Sequence, residues 1–211
     1  MRLGLFGGSF DPVHRGHVGP VQEARRFLGL DRVLYLPTAR PPHKEDPETA
    51  PAAPAWARYT MVELAVLHEE GLYVSSHELR PERPSYTVET LEHFRRELGP
   101  SSGQIHLILG SDALLGLPGW RRWRELPEFA RLAVLTRPGS ELREIRGRLA
   151  PELEDLLDRG AIDVVEDVRV DISSTEIRRR LAAEESERPA WLEEWVPSLV
   201  VDYLAKYRFY R

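Results

Sequence analysis

The sequence contains no cysteine in its 211 residues. The chain can therefore form neither a disulfide nor a thiolate metal site, and it has no cysteine nucleophile, which fits a reducing compartment. No run approaches the ~18 uninterrupted apolar residues that a membrane span requires. The N-terminal string MRLGLFGGSFDPVH is too short, and becomes polar too soon, for a signal peptide. We therefore expect a cytoplasmic protein with no membrane partner.

The chain also lacks an excess of positive charge. Its 29 lysine and arginine residues are outnumbered by 34 aspartate and glutamate residues, which gives a net charge of −5, so we expect no nucleic-acid partner. Lysine is rare, since only Lys44 and Lys206 occur. Lys44 lies in the proline-rich loop from Pro37 to Pro54, and long irregular connections in compact domains are usually functional.

The chain does contain short β-rich runs that alternate with helical patterns. Strands are predicted at Leu3–Phe6, Arg32–Leu36, Leu72–Ser76, Ile105–Leu109, Leu132–Thr136 and Ile162–Val165. Helices are predicted at Gly16–Leu28, Ala55–Leu67, Thr87–Leu98, Glu141–Leu149, Glu152–Leu156, Ser174–Leu181 and Ser198–Tyr207. This alternation is typical of an α/β fold, a parallel sheet covered by helices. We predict one domain over residues 1–211, with a small helical C-terminal lobe over about 173–211.

The first strand leads directly into the string GGSFDPVHRGH. Ligands of open α/β sheets bind just beyond the carboxyl ends of the strands. Gly7 and Gly8 let backbone N–H groups approach an anion, and the following helix directs its positive end to the same place. His14 and His17 lie three residues apart at the helix start, so both can contact phosphate oxygens from one face. A tight turn with incidental histidines would explain any one of these residues but not the whole string.

A second string, ISSTEIR, begins a helix near the C-terminus. Ser173, Ser174 and Thr175 offer hydroxyls and free backbone N–H groups to phosphate oxygens. Arg178 lies one turn further and can fork onto the same oxygens. Ser173 and Glu176 also fit an ordinary capping box. We expect the cap to be present and anion binding to be additional.

Two segments between these strings suit a second ligand. The string PSYT opens a helix at Tyr86 and Thr87, where free N–H groups suit a carboxylate better than a neutral carboxamide. The string GSD follows the buried strand, where Gly110 permits close approach and Asp112 can accept ribose hydroxyls or cap the helix. Further along, Trp120 presents an indole that either stacks on a flat ring or belongs to the core.

The strings GGSFDPxHxGH and ISSTxIR together resemble the signatures of the T/H-x-G-H nucleotidyltransferase superfamily, whose members join a nucleoside triphosphate to a phosphate-bearing partner and release pyrophosphate. With PPHK, PSYT and GSD added, the chain is most similar to the nicotinate-mononucleotide adenylyltransferases over essentially its whole length. The resemblance implies a Rossmann-like, doubly wound, mainly parallel sheet. It also implies that ATP and nicotinate mononucleotide are joined to give nicotinate adenine dinucleotide (deamido-NAD) and pyrophosphate in NAD biosynthesis.

The same resemblance implies roles for individual residues. The implied catalytic residues are His14, His17 and Arg178. The implied ATP-binding residues are Gly7, Gly8, Phe10, His14, His17, Lys44, Gly110, Asp112, Ser173, Ser174, Thr175 and Arg178. The implied mononucleotide-binding residues are Ser9, Tyr86, Thr87 and Trp120. We expect Mg²⁺ to arrive on the ATP phosphates rather than in a protein metal site, and association into a homo-oligomer is left open.

Three other functions stay open at this point. A phosphopantetheine adenylyltransferase would share the two signature strings but not PSYT together with GSD and the downstream tryptophan. A nucleotide-sensing regulator would bind without chemistry, although the expected phosphate-facing positions are all present. An aminoacyl-tRNA synthetase of the HIGH class would share the nucleotide loop, but the chain has no KMSKS-like lysine loop.

Overall fold

The computed structural model describes residues 1–41, 50–80, 82, 84–99, 103–136, 145–165, 172–186 and 188–211. The strands are β1 (Arg2–Gly8), β2 (Arg32–Pro37), β3 (Leu72–Val74), β4 (Gln104–Gly110), β5 (Arg131–Leu135) and β6 (Ile162–Val165). The helices are α1 (Arg15–Phe27), α2 (Ala55–Val66), α3 (Thr87–Leu98), α4 (Ser111–Gly116), α5 (Leu126–Phe129), α6 (Pro151–Asp158), α7 (Ser174–Ala182), α8 (Ala190–Trp195) and α9 (Ser198–Tyr207). Short 3₁₀ turns at Leu117–Gly119 and Trp123–Glu125 connect α4 to α5.

The strands form one sheet in the order β3-β2-β1-β4-β5-β6. Each neighbouring pair is parallel, which confirms the predicted α/β fold. The chain order reverses between β1 and β4, and in a doubly wound sheet the crevice for ligands opens at this point. Gly8 and Gly110 end these two strands, so the glycine-containing strings after both strands lie at the crevice.

Strand β1 is apolar on both faces because helices cover both sides of the sheet. Successive side chains of a strand point to opposite faces. Leu3 and Leu5 pack with Leu91 of α3 in one core cluster, whereas Phe6 packs with Val21 of α1 in the other.

The C-terminal helices belong to the second of these clusters. Ile177 of α7, Leu192 of α8 and Val201 of α9 are buried together with Val21 and with Met61 of α2. This shared core places the start of α7 near the end of β1, although more than 160 residues separate them in the chain.

Three of the helices, α4, α5 and α8, were not predicted. They have only 6, 4 and 6 residues, too few to show a helical hydrophobic period. The helix predicted at Glu141–Leu149 begins in residues 141–144, outside the described residues. In the ranges that the structure does describe, no helix has the length and apolar character needed to cross a membrane.

Candidate active site

The loop after β1 is folded around the ring of Phe10. Phe10 has a left-handed backbone, with φ of 50°, and its side chain is only 2% exposed. A Cβ atom on Gly8 would lie 2.8 Å from that ring, so the loop requires glycine there. Phe10 was predicted to bind ATP. Its ring lies in the core, and its contact with ATP stays a prediction.

The two predicted histidines lie side by side at the start of α1. The ring centroids of His14 and His17 are 3.7 Å apart. The backbone N–H of His14 donates to Nδ1 of His17 at 3.2 Å, so neutral His17 carries its proton on Nε2. Phe10 packs edge-on against the His17 ring, with centroids 5.2 Å apart, and the buried Tyr35 hydroxyl donates to the His17 carbonyl at 2.9 Å. His17 is therefore held in one orientation, and its ring N–H is at Nε2.

The ISSTEIR string packs directly against this loop. Ser173 caps α7 by accepting a hydrogen bond from the Glu176 N–H at 3.1 Å, as predicted. The Ser174 hydroxyl donates to the Pro12 carbonyl at 2.9 Å. The Arg178 guanidinium donates to the Asp11 carbonyl at 2.7 Å. The two signature strings therefore meet in space.

Asp11 ties this junction to two further parts of the chain. Its buried carboxylate accepts hydrogen bonds from the backbone N–H groups of Ala52 and Ala53 at 2.7 and 3.1 Å. It also accepts one from the Tyr210 hydroxyl at 2.7 Å. Burial raises the pKa of Tyr210, so this phenol stays a donor at neutral pH. Neither the role of the Asp11 carboxylate nor that of Tyr210 was predicted from the sequence.

A buried arginine on α2, Arg58, donates hydrogen bonds to backbone carbonyls of the same region. The Arg58 side chain, on a residue only 1% exposed, donates to the carbonyls of Ala53 and Thr38 at 3.0 and 2.8 Å, and to the carbonyl of Ser9. Burial lowers the pKa of Arg58, and the nearby Asp11 charge opposes that shift. The role of Arg58 was not predicted either, although Arg58 shares a helical face with the buried Met61, Val62 and Ala65.

Beside this junction, at the ends of β1 and β4, lies a cavity of about 310 Å³. We call it the crevice cavity. It is lined by all four residues predicted to bind the mononucleotide and by all three glycines predicted to bind ATP. These residues are Ser9, Tyr86, Thr87, Trp120, Gly7, Gly8 and Gly110. The predicted binding positions from four separate segments therefore line one cavity.

Two charged side chains of the crevice cavity were not predicted. The Arg121 guanidinium lies over the Tyr86 ring, with its central carbon 4.5 Å from the ring centroid. The Glu78 carboxylate is buried and accepts hydrogen bonds from the hydroxyls of Thr38 and Thr90, both at 2.7 Å. Burial raises the pKa of Glu78, and the two threonine hydroxyls oppose that shift.

Two predicted ATP contacts remain, Asp112 and Lys44. Asp112 is exposed in the first turn of α4 and is not among the residues that line the crevice cavity. Lys44 falls in residues 42–49, outside the described residues. Within the part of the chain that is described, no group of three or more histidine, aspartate or glutamate side chains is arranged to hold a metal ion.

The fold and the site define a class of protein, the Rossmann-like nucleotide-binding enzymes. In this one, the loop that leads to His14 and His17 meets helix α7, which carries Arg178, beside a ligand cavity. Residues 5–180 match the family model described as cytidylyltransferase-like. The chain is 44% identical to a Thermus thermophilus protein, over all of both chains, and 40% identical to a Pseudomonas putida protein, over all of this chain and 95% of that one. Both are named "Probable nicotinate-nucleotide adenylyltransferase". The chain belongs to the cytidylyltransferase-like family and, within it, to the nicotinate-nucleotide adenylyltransferases.

A solved structure has the same fold. The nicotinic acid mononucleotide adenylyltransferase of Plasmodium falciparum, complexed with NaAD, superimposes with a TM-score of 0.74. The match covers 99% of this chain and 97% of that one at 16% sequence identity. At that identity the likeness concerns the fold, and it agrees with the six-stranded parallel sheet.

Proposed function

We propose that the chain transfers the adenylyl group of ATP to nicotinate mononucleotide, releasing pyrophosphate and forming nicotinate adenine dinucleotide. The full-length similarity to nicotinate-nucleotide adenylyltransferases supports the reaction class. The observation that carries the substrate assignment is the crevice cavity, because Ser9, Tyr86, Thr87 and Trp120 all line it.

The pyridine end of the mononucleotide occupies the wall made by Tyr86, Thr87 and Trp120. The indole of Trp120 stacks on the pyridine ring. The ring carboxylate faces the N-terminus of the 12-residue helix α3, where free N–H groups and the helix dipole favour an anion. The phosphate end reaches Ser9, at the glycine-containing end of β1.

The triphosphate of ATP lies at the junction of the two signature strings. Helices α1 and α7 both start there, so free N–H groups and the Nε2 donor of His17 meet the phosphate oxygens. Arg178 adds a positive charge from the first turns of α7. Hydroxyl groups at a helix start and a loop ammonium group suit phosphate oxygens. We therefore propose ATP contacts for Ser173, Ser174, Thr175 and Lys44. We also propose that Asp112 contacts the ribose.

The chemistry is a substitution at the α-phosphorus of ATP. A phosphate oxygen of the mononucleotide forms the new P–O bond, and the bond from the α-phosphorus to the bridging oxygen breaks, so pyrophosphate leaves with the electron pair. The attacking phosphate has a second pKa near ~6 and is mostly dianionic at neutral pH, so no general base is required. His17 and Arg178 therefore act by orienting the phosphates and stabilising the charge that develops on the leaving group.

We propose that Mg²⁺ enters as the ATP complex. When bound, it neutralises phosphate charge and polarises the phosphoryl group under attack. The described donor set suits such delivery, because it offers histidine and arginine donors to phosphate rather than a carboxylate cage. A cytoplasmic location stays a prediction.

Pyrophosphate release by the purified full-length chain tests the proposal. The assay supplies ATP and Mg²⁺ with nicotinate mononucleotide, nicotinamide mononucleotide or phosphopantetheine. We expect fastest turnover with nicotinate mononucleotide, and chromatography should identify the dinucleotide product. Nucleotide binding without pyrophosphate release would favour a sensing regulator, and turnover of phosphopantetheine alone would favour the other adenylyltransferase.

A further inference from the structure

We propose that the Arg121 side chain sets the preference for a pyridine ring that carries a carboxylate over one that carries a carboxamide. The inference rests on the proposed function, since it concerns the pyridine end of the same substrate. It assigns the choice to a guanidinium on the turn after Trp120, in addition to the N-terminus of α3.

Arg121 stands where the pyridine substituent would be recognised. It lines the crevice cavity together with Trp120, Tyr86 and Thr87. Its guanidinium lies over the Tyr86 ring at 4.5 Å, a cation–π contact that orients the side chain without neutralising its charge. Tyr86 is the N-cap residue of α3, so the guanidinium and the free N–H groups of that helix approach the same end of the cavity.

Among the described residues, the Arg121 guanidinium forms one ion pair, with Glu89, and that pair is long. Glu89 Oε1 is 3.7 Å from its Nη1 atom, longer than a hydrogen bond. The neighbouring Arg122 differs, because it donates to Glu92 at 2.8 Å and to both carboxylate oxygens of Glu125 at 2.9 and 2.5 Å. Arg121 therefore keeps donor capacity for a ligand, whereas Arg122 is occupied by the protein.

The other charged side chain in the described lining of the crevice cavity is Glu78. Both of its oxygens already accept threonine hydroxyls, and burial raises its pKa. A carboxylate ligand in this cavity would be repelled by an ionised Glu78. Arg121 is the described lining residue whose charge opposes that repulsion.

A charged group is needed because helix N–H groups discriminate weakly. The N–H groups and the dipole at the start of α3 favour a carboxylate, but the same N–H groups also donate to the oxygen of a carboxamide, so the preference that they give is modest. A guanidinium forms charge-assisted hydrogen bonds with a carboxylate, which are about twice as strong as neutral ones. Specificity is a difference between two affinities. A fixed cation that binds a carboxylate more strongly than a carboxamide therefore increases the preference for the carboxylate.

The test compares R121Q with R121K, using R124Q as the matched control. Glutamine keeps N–H donors and removes the charge, whereas lysine keeps the charge and removes the fork. Arg124 also lies over an aromatic ring, that of Trp123 at 4.7 Å, but it is not among the residues lining the crevice cavity. For each protein, kcat/KM is measured with nicotinate mononucleotide and with nicotinamide mononucleotide, and thermal unfolding verifies the fold.

We expect R121Q to lower kcat/KM for nicotinate mononucleotide about tenfold and to change that for nicotinamide mononucleotide by less than about twofold. R121K should retain most of the preference, and R124Q should match the unmodified chain. Equal losses for both substrates, equal behaviour of R121Q and R121K, or an unchanged ratio would each overturn the inference. If the unmodified chain does not turn over nicotinate mononucleotide, the proposed function itself fails; if it does but R121Q keeps the ratio, only the inference fails.

Discussion

The Arg178 guanidinium donates to the main-chain oxygen of Asp11 at 2.7 Å, across 167 positions of sequence. The same nitrogen lies 3.6 Å from the Asp11 carboxylate, so one side chain contacts both the backbone and the charge of that residue. Because the Asp11 loop continues into His14, this contact fixes the start of α7 relative to the histidine pair. The relative position of the proposed phosphate donors therefore depends on Asp11.

We expect Arg178→Ala to lower kcat by at least about a hundredfold, because loss of one transition-state donor costs about 3–4 kcal/mol in well-studied sites. Arg178→Lys keeps the charge without the fork and should recover part of the rate. The control is Arg179→Ala, which removes an exposed arginine of the same helix that pairs with Glu176. Steady-state kinetics with ATP varied measure the effect, and equal losses in the two alanine variants would contradict the assignment.

His17→Ala should also act mainly on kcat, with a loss of about 10²-fold to 10³-fold. The reason is that its Nε2–H is oriented by the Nδ1 contact with the His14 backbone. His68, an exposed histidine after α2, provides the control as His68→Ala. Wild-type turnover in His17→Ala, with an unaltered pH profile, would refute the electrostatic role.

Trp120→Ala should raise KM for nicotinate mononucleotide by about tenfold, because aromatic stacking on a base is worth about 1–3 kcal/mol. Its effect on KM for ATP should be small, since Trp120 lines the crevice cavity at the pyridine end. Trp120→Phe retains a ring and should lose less. Trp56→Ala removes an indole that is 62% exposed and should leave both KM values unchanged; a matching rise there would show that the effect is not local.

Arg58→Met should lower the free energy of unfolding by about 3–5 kcal/mol, as is typical when one partner of a buried charged network is removed. The change leaves the carbonyls of Ser9, Thr38 and Ala53 without their donor. For a domain of this size, we expect Tm to fall on the order of 10 °C. Arg26→Met removes an exposed arginine that pairs only with Glu23 among the described contacts, and calorimetry should find it near-neutral. Similar Tm values for the two variants would rule out the structural role of Arg58.

Glu78 predicts a pH dependence of stability with a definite sign. Burial raises the pKa of Glu78 above the ordinary 4.5. At pH values between 4.5 and this raised pKa, the Glu78 carboxyl therefore binds more protons in the folded chain than in the unfolded chain. The contribution of Glu78 to stability is therefore greatest at low pH, falls as pH rises through this window and is constant above it. Glu78→Gln lacks the titrating group and should abolish this component.

Urea unfolding from pH 4.5 to 8 measures the Glu78 effect as the difference between the unmodified chain and Glu78→Gln. That difference should decline with rising pH. Glu97→Gln, at an exposed position of α3, is the control for loss of a surface carboxylate. A difference for Glu78→Gln that stays flat or grows would contradict the sign.

The sequence predicted those parts of the site that depend on residues close to one another in the chain. Gly7 and Gly8 follow an apolar strand, His14 and His17 lie at helical spacing, and Ser173 precedes a helix with its cap. Each pattern depends on residues within one turn of one another, and the structure contains each of them. The predicted sheet was confirmed for the same reason, because strand and helix alternation is visible in short windows.

The parts that sequence reasoning missed are long-range polar contacts. In the sequence, nothing distinguishes Arg58 from other helical arginines. Its role depends on the packing of α2, which brings its guanidinium to three backbone carbonyls. Tyr210 lies at the end of the chain and binds Asp11, 199 positions away. No local window contains both partners of such a contact, so spacing cannot predict it.

The amino-acid order by itself determined the class of fold, the two signature strings and the kind of ligand they suit, because these follow from hydrophobic period and local donor chemistry. Only the tertiary structure decided which charged groups face the crevice cavity. Arg121 and Arg122 are adjacent and chemically identical, yet one lies over Tyr86 beside the cavity and the other is bound by Glu92 and Glu125. The physical reason is that the electrostatic effect of a charge depends on its distance from its partners, and the packing of α3 against the turn after Trp120 sets those distances.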